Sequence, residues 1–358
     1  MHMADALLSP AVGGIMWASS AVSIAYCSRK VREELDDRKV PLMGVLGAFL
    51  FSAQMINFTI PATGSSGHLG GGLLLAILLG PYAAFLTIAS VLVVQALFFA
   101  DGGLLALGCN IFNMGFIPSF IVYPLIYRKI AGNHPNQTRL TLAIMVSAIA
   151  GMQAGPFSVV LETVFSGISE LPFTTFTLLM QPIHLAIGMV EGCVTAAIVA
   201  FVHKARPEIL QVALETRTTG NHPIRNVMAA FMAAAIVTGG IVSWFASNNP
   251  DGLEWAIARV TGKEELKKPD QGVHATLSAL QEKTAFLPDY AFKNPVAPKN
   301  GAMRPEGEKK MVDKSRLATS VSGVVGGMLT LAIAFLTGLV LKKRAQPVNV
   351  DQTLPHQQ

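Results

Sequence analysis

The sequence predicts an all-α polytopic membrane protein: a seven-helix bundle followed by a two-helix hairpin that carries a long extracytoplasmic loop. Three observations predict it. Several apolar runs approach the ~20 residues a helix needs to cross a bilayer. Charged residues make up only 14% of the chain, where soluble domains carry about a quarter, and mean hydropathy is +0.48. The polar connections between the runs also alternate between basic and free of Lys and Arg. Given that alternation, the formal net charge of +5 is a loop-charge signature and not a sign of nucleic-acid binding. Cys27, Cys109 and Cys193 are widely spaced and form no CxxC, so neither a disulfide framework nor a thiolate metal site is expected.

Taken in order, the apolar segments are 11–27, 41–60, 69–80, 82–100, 103–127, 140–161, 174–202, 227–246 and 318–341. The first contains Gly14, Ala18, Ala21 and Ala25, two small-xxx-small pairs that let another helix approach closely, either within this chain or from a partner. The third is short for a crossing and ends at Gly80-Pro81, so it reads as tilted, broken or re-entrant. If all nine cross with the N-terminus outside, the inside connections 28–40, 128–139 and 203–226 hold five, three and four basic residues, and the tail 342–344 reads KKR. The short outside pieces 1–10, 61–68, 101–102 and 162–173 hold no Lys or Arg, which fixes this orientation under the positive-inside rule. The expected location is a bacterial or archaeal cell (inner) membrane, with the C-terminus cytoplasmic.

Composition divides the chain into a seven-span part (1–205), a polar cytoplasmic linker (206–226), a two-span part (227–346) with an outer loop at 247–317, and a disordered cytoplasmic tail (347–358). The loop opens with NNPDGLEWAIARVTG. Its Asn-Pro-Asp-Gly turn leads into a short amphipathic helix with Leu253, Trp255, Ile257 and Val260 at mostly apolar positions. The stretch PVAPKNGAMRPEGEKK reads as flexible, and the Lys-rich 263–268 and 309–316 as solvated loop.

The start, MHMADALLSP, lacks the basic flank of a secretory signal, so no cleavage is expected, and the bulky His2 is expected to keep Met1 in place. A terminus of this form offers an α-amine, the His2 amide nitrogen and the His2 imidazole, three nitrogens in fused five- and six-membered chelate rings. One further nitrogen completes a planar set suited to Ni(II) or Cu(II) and poor for Zn(II), Mg(II) or Ca(II). His68, in PATGSSGHLGGG, lies on the same side and is the best candidate; a surface His2 and a capping His68 are the ordinary alternatives.

These residues sit in longer stretches that resemble a known family. MHMADALLSP, GSSGHLGGGLLLAILLGPYAAFL, VQALFFADGGLLALGCNIFNMGF and HLAIGMVEGCVTAAIVAFVHKARPEIL are similar to the CbiM/NikM group, the substrate-binding components of energy-coupling-factor transporters for cobalt and nickel. The resemblance covers residues 1–210. The hairpin, with PDGLE at 250–254, resembles the companion NikN-type subunit, here fused onto the same chain. The family start is Met-His-Ile-Pro, and Met3 and Ala4 depart from it without touching the proposed ligands. The resemblance implies Met1 (amine), His2 (amide and imidazole) and His68 (imidazole) as ligands of a transported Ni(II) or Co(II), with no permanent cofactor. It implies a transmembrane coupling component and cytoplasmic ATP-binding cassette ATPases as partners. The sequence has no GxxxxGK[ST] loop of its own for ATP, in keeping with a non-enzymatic transporter subunit.

Other polar groups fall inside apolar runs. Asn110 and Asn113 share a helix face and either support the metal site or make interhelical hydrogen bonds, the second slightly favoured. Ser65 and Ser66 have the same two readings. His184 and Glu191 share a face of the seventh span, as a relay or interface group or as a buried structural contact. Asp101, before Gly-Gly, is expected to cap a helix. The fifteen Met read as packing. A secondary carrier or channel acting alone needs intramembrane carboxylates along a path, and only Glu162 and Glu191 come near. A metalloprotease lacks HExxH. Four planar nitrogens and PDGLE favour nickel over cobalt.

Overall fold

A computed structural model describes residues 2–34, 39–133, 135–205, 210, 225–293 and 307–343. Each of the nine apolar segments holds one helix: α1 (Pro10–Glu34), α2 (Lys39–Gln54), α3 (Gly72–Leu79), α4 (Pro81–Phe98), α5 (Leu107–Ala131), α6 (Gln137–Ser166), α7 (Phe173–Ala205), α8 (Arg225–Gly240) and, last in the chain, α11 (Gly307–Lys343). Between α8 and α11 lie α9 (Gly252–Thr261) and α10 (Gly272–Thr284). Six of the described helices (α1, α4, α5, α6, α7 and α11) are long and apolar enough to cross a membrane.

Several segment limits differ from the sequence reading, each for a local reason. The third segment does not cross as a helix. Gly71 (φ +73°) and Gly80 (φ +79°) hold conformations that interrupt it at both ends, leaving eight residues and about 12 Å of rise against about 30 Å of hydrocarbon. The second segment, read as 41–60, stops helical winding at Gln54; Phe58–Ile60 instead pairs as β1 with β2 (Ser65–Gly67) in an antiparallel hairpin. β-branched Thr59 and Ile60 followed by Pro61 suit a strand, and Pro61 cannot continue a helix. The eighth segment ends at Gly240, and a 3₁₀ turn (Val242–Phe245) follows. α11 starts at Gly307, so the outer loop is shorter than 247–317 and the Lys-rich 309–316 is helical. The 206–226 linker falls almost entirely outside the described residues, as do the 347–358 tail and most of the stretch read as flexible.

Within α5, residues Phe112–Tyr127 wind with the wider π pitch around Pro118 and Pro124, which have no N–H to give an α-type bond. The hairpin α8/α11 packs on α2 at small residues: a Cβ on Gly323 would lie 2.4 Å from the Gly239 carbonyl oxygen, and one on Gly239 would lie 2.9 Å from Ser52 Oγ. Large side chains such as Phe51, Phe85, Phe99, Tyr123 and Tyr127 fill the interior.

Candidate metal site

The segment before α1 is not a loose tail. Met3, Asp5, Ala6, Leu7 and Leu8 are buried, and the chain is pinned to the start of α5 by backbone and side-chain bonds. The Met3 N–H donates to Asn110 Oδ1 (2.8 Å), the Gly103 N–H donates to the Met3 carbonyl (2.9 Å), and the Ala106 N–H donates to Asp5 Oδ1 (3.0 Å). Gly103 is required: a Cβ there would fall 1.8 Å from Asp5 Oδ1. Asn110 thus holds the terminal segment, one of the two roles open to it from the sequence. Met1 lies outside the described residues.

This seat places His2 beside His68. Their rings stack with centroids 5.1 Å apart and planes 14° from parallel. His2 Nδ1 lies 3.0 Å from Asp101 Oδ1, and Nε2 lies 3.1 Å from Gln95 Oε1. The Gln95 amide nitrogen donates to Gln54 Oε1 (2.9 Å), so its oxygen faces His2 and accepts. Gln54 in turn donates to the Gly70 carbonyl (2.9 Å), two residues from His68. A chain of amides therefore runs from the His2 imidazole to the backbone of the His68 loop and aims an acceptor at His2 Nε2. Asp101 is not the helix cap expected from sequence. Burial pushes its carboxyl up, but the charge and hydrogen bond of His2 and the Tyr290 hydroxyl outweigh this and hold it at about 2.

His68 is mostly buried and its Nδ1 lies 3.1 Å from the Leu69 carbonyl. A carbonyl only accepts, so Nδ1 carries the proton and Nε2 carries the ring lone pair. Behind His68, the Glu191 carboxylate on α7 accepts the Gly70 and Gly71 N–H groups (2.9 and 3.0 Å) and so shapes the His68 loop. Asn113 donates to Glu162 (2.8 Å) and does not reach the terminal backbone as Asn110 does. Ser65 and Ser66 turn away from a supporting role at His68: the Ser66 hydroxyl donates to the Asn249 carbonyl (2.8 Å), and its N–H donates to the Pro250 carbonyl (2.8 Å). His184 lies on α7 seven positions before Glu191, toward the roof, with Nδ1 2.7 Å from the Met180 carbonyl.

Two imidazoles, one of them from the second residue of the chain, thus stack at the end of a helical bundle. The family profile described as the cobalt uptake substrate-specific transmembrane region (CbiM) fits residues 2–209, and the PDGLE domain profile fits residues 225–343. The chain belongs to the CbiM family. It is a multi-pass membrane protein of a cobalt and nickel transport family, fused to a PDGLE domain. It is 36% identical over 210 residues to a putative metal transport protein of Haloquadratum walsbyi, covering 59% of this chain and 93% of that one. It is 35% identical over 218 residues to the putative fused nickel transport protein NikMN of Archaeoglobus fulgidus, covering 59% and 68%. A crystal structure of a truncated transition metal transporter superposes with a TM-score of 0.51 at 31% identity, covering 57% of this chain and 99% of that one.

The PDGLE domain roofs the CbiM site. Asp251 caps α9 by accepting the Leu253 and Glu254 N–H groups, and Glu254 accepts the Asp251 N–H in return, a complete capping box. The Trp255 indole donates to the Thr63 carbonyl (3.0 Å), and the turn before α9 bonds to β2. From α10, His274 bonds the Leu8 carbonyl (2.9 Å), and Gln281 donates to the Ala96 and Gly102 carbonyls (2.9 and 2.7 Å). Tyr290 completes the roof by donating to Asp101 Oδ2. Sequence reasoning missed Gln54, Gln95 and the true place of Asp101. The two glutamines were detectable as amides in apolar runs, the same signal that singled out Asn110 and Asn113.

Proposed function

We propose that this chain is the substrate-specific component of an ATP-driven energy-coupling-factor importer, and that it captures Ni(II), or alternatively Co(II), from outside. In this reading the ion sits in the plane of the Met1 amine, the His2 amide nitrogen, His2 Nδ1 and His68 Nε2. The observation that carries the reading is the hydrogen-bond pattern at the stacked pair. Gln95 accepts from His2 Nε2 and Asp101 accepts from Nδ1. The ion takes Nδ1, the nitrogen that closes a six-membered ring with the His2 amide, by displacing the Asp101 contact while Gln95 continues to accept from Nε2. The Leu69 carbonyl keeps a proton on His68 Nδ1, which assigns coordination to Nε2. The Asp101 carboxylate stands 3.0 Å from His2 Nδ1, where it becomes the electrostatic partner of a cation that takes this nitrogen.

The chain works with a membrane coupling component and cytoplasmic ATPases, since its sequence offers no phosphate-binding loop for ATP. The N-terminus and the roof face outward, in keeping with the absence of basic residues from residues 1–10 and 61–68. The test is radioactive Ni(II) uptake by cells expressing the full transporter. Removal of the partner ATPases is expected to abolish uptake, and His68→Ala to abolish both uptake and ion binding. Undiminished uptake without the ATPases would instead establish a carrier acting alone.

A further inference from the structure

One carboxylate of the PDGLE turn borders the metal site on two sides. Asp251 lines a cavity of about 160 Å³ together with His2 and Asp101, and a second of about 40 Å³ together with His68 and Glu191. It is the one residue common to both walls. Its place is fixed from three directions. The Ser66 N–H donates to the Pro250 carbonyl (2.8 Å) and ties the turn to β2. A Cβ on Gly252 would lie 2.8 Å from Ile183 Cγ2 and 2.9 Å from His184 Cε1, so glycine lets the turn rest directly on α7. The capping box holds Asp251 to α9, and that cap uses a single oxygen: the Leu253 and Glu254 N–H groups both donate to Oδ1.

Covalent structure limits where the α-amine can be. It belongs to the residue before His2, so it lies within ~5 Å of the His2 Cα whatever the conformation of that residue. His2 lines the larger cavity, and three carboxylates of that wall come within consideration: Asp101, Asp251 and Glu254. Asp101 is engaged by His2 and Tyr290, and Glu254 accepts the Asp251 N–H. Asp251 answers to the amine. Burial pushes its carboxyl up, but the charge of the N-terminal amine and the Glu254 N–H outweigh this and hold it below its ordinary value. At Asp101 and at Glu254 other partners act more strongly than the amine does.

We propose that Asp251 is the positioning residue for the α-amine of the metal site, its Oδ2 accepting a hydrogen bond from that amine. A coordinated primary amine keeps two N–H groups, so the contact persists when an ion is bound. Gln95 aims the His2 ring and the Leu69 carbonyl aims the His68 ring; Asp251 gives the amine the same kind of support. Its negative charge also favours a cation from the side opposite Asp101. The PDGLE unit is then part of the metal site as well as its cover, because one of its side chains sets a ligand supplied by the CbiM unit. The proposal rests on the terminal-chelate reading, and the experiment separates the two.

The full chain, with an unextended N-terminus, is compared with Asp251→Asn, which keeps a cap acceptor for α9 and removes the charge. Ni(II) affinity is measured by isothermal titration. In the ion-free proteins, acetylation of the α-amine by acetic anhydride is followed by mass spectrometry of the N-terminal peptide. Asp251→Asn is expected to bind Ni(II) roughly 10–100-fold more weakly, the range for lost partners of metal ligands. Its amine is expected to acetylate severalfold faster, since an amine without a carboxylate partner gives up its proton more readily. Protection of the α9 amides is expected to stay unchanged. If Asp251→Asn undocks α9, Asp251→Ser, which also caps, decides by the same two readings. Unchanged acetylation overturns the proposal, as does faster acetylation with unchanged Ni(II) affinity. Faster acetylation in the variant with no Ni(II) held by the wild-type chain would keep Asp251 as the residue that holds the amine and overturn the terminal-chelate reading.

Discussion

The two stacked imidazoles are set by neighbours whose own partners are fixed one step further out. Gln95 can accept from His2 only because Gln54 accepts from Gln95, and Gln54 is itself set by the Gly70 carbonyl. Replacing Gln95 by Leu removes the acceptor at Nε2 and leaves the Asp101 carboxylate to hold the ring proton at Nδ1, the coordinating atom in the proposed site. Ni(II) affinity is expected to fall 10–100-fold, the range for lost partners of metal-bound histidines, as read by isothermal titration; an unchanged affinity would contradict the tautomer argument. Gly103→Ala acts through space instead. With a Cβ 1.8 Å from Asp5 Oδ1, the terminal segment cannot keep its seat. Ion binding is expected to drop at least about tenfold while the bundle still melts as a folded protein, since the clash is confined to the plug. A variant that binds normally would show that the plug is not what presents His2.

Among the elements, the helices were legible and their interruptions were not. Nine apolar runs became nine helices because length and hydropathy are local properties. The short third run ending at Gly80-Pro81 announced a break, but whether α3 crosses depended on backbone conformations that composition does not encode. The α9 helix was readable from the Asn-Pro-Asp-Gly turn and the apolar spacing after it, and the structure adds the capping box of Asp251 and Glu254 at its start. Its docking partners were not, because Ser65 and Ser66 lie some 185 positions away from the Pro250 they hold. The roof has a pH dependence of its own. Burial and the neighbouring Asp251 charge raise the Glu254 carboxyl to about 7. Between the unfolded value near ~4.3 and about 7, the docked form binds more protons than the undocked form, so docking weakens as pH rises through that window. The protection of α9 amides, taken relative to their intrinsic exchange rate at each pH, is expected to be greater at pH 5 than at pH 8. Glu254→Gln, which keeps a cap acceptor without the charge, is expected to flatten the difference; an equally steep profile in the variant would assign the effect elsewhere.

At the scale of the whole molecule, two sequence units share one site. The CbiM unit supplies His2, His68 and the amide chain, and the PDGLE unit closes it with α9, α10 and Tyr290. The sequence singled out a histidine at position 2 and another among glycines on the same side, and the structure brings these two imidazoles together. It did not disclose that Asp101 would stand at His2 or that Tyr290 would hold Asp101, because both contacts depend on how the outer domain folds over the bundle. The central claim is that the ion is held by a terminal chelate joined to His68. It is tested most directly by metal content and visible absorption of purified protein with a native N-terminus, beside a form carrying one extra residue before Met1. That residue displaces the amine and leaves His2 and His68 intact. The account predicts that only the native form holds Ni(II) with a planar d–d band. Equal binding with the same band in both forms would contradict it, and would remove the α-amine from the ligand set.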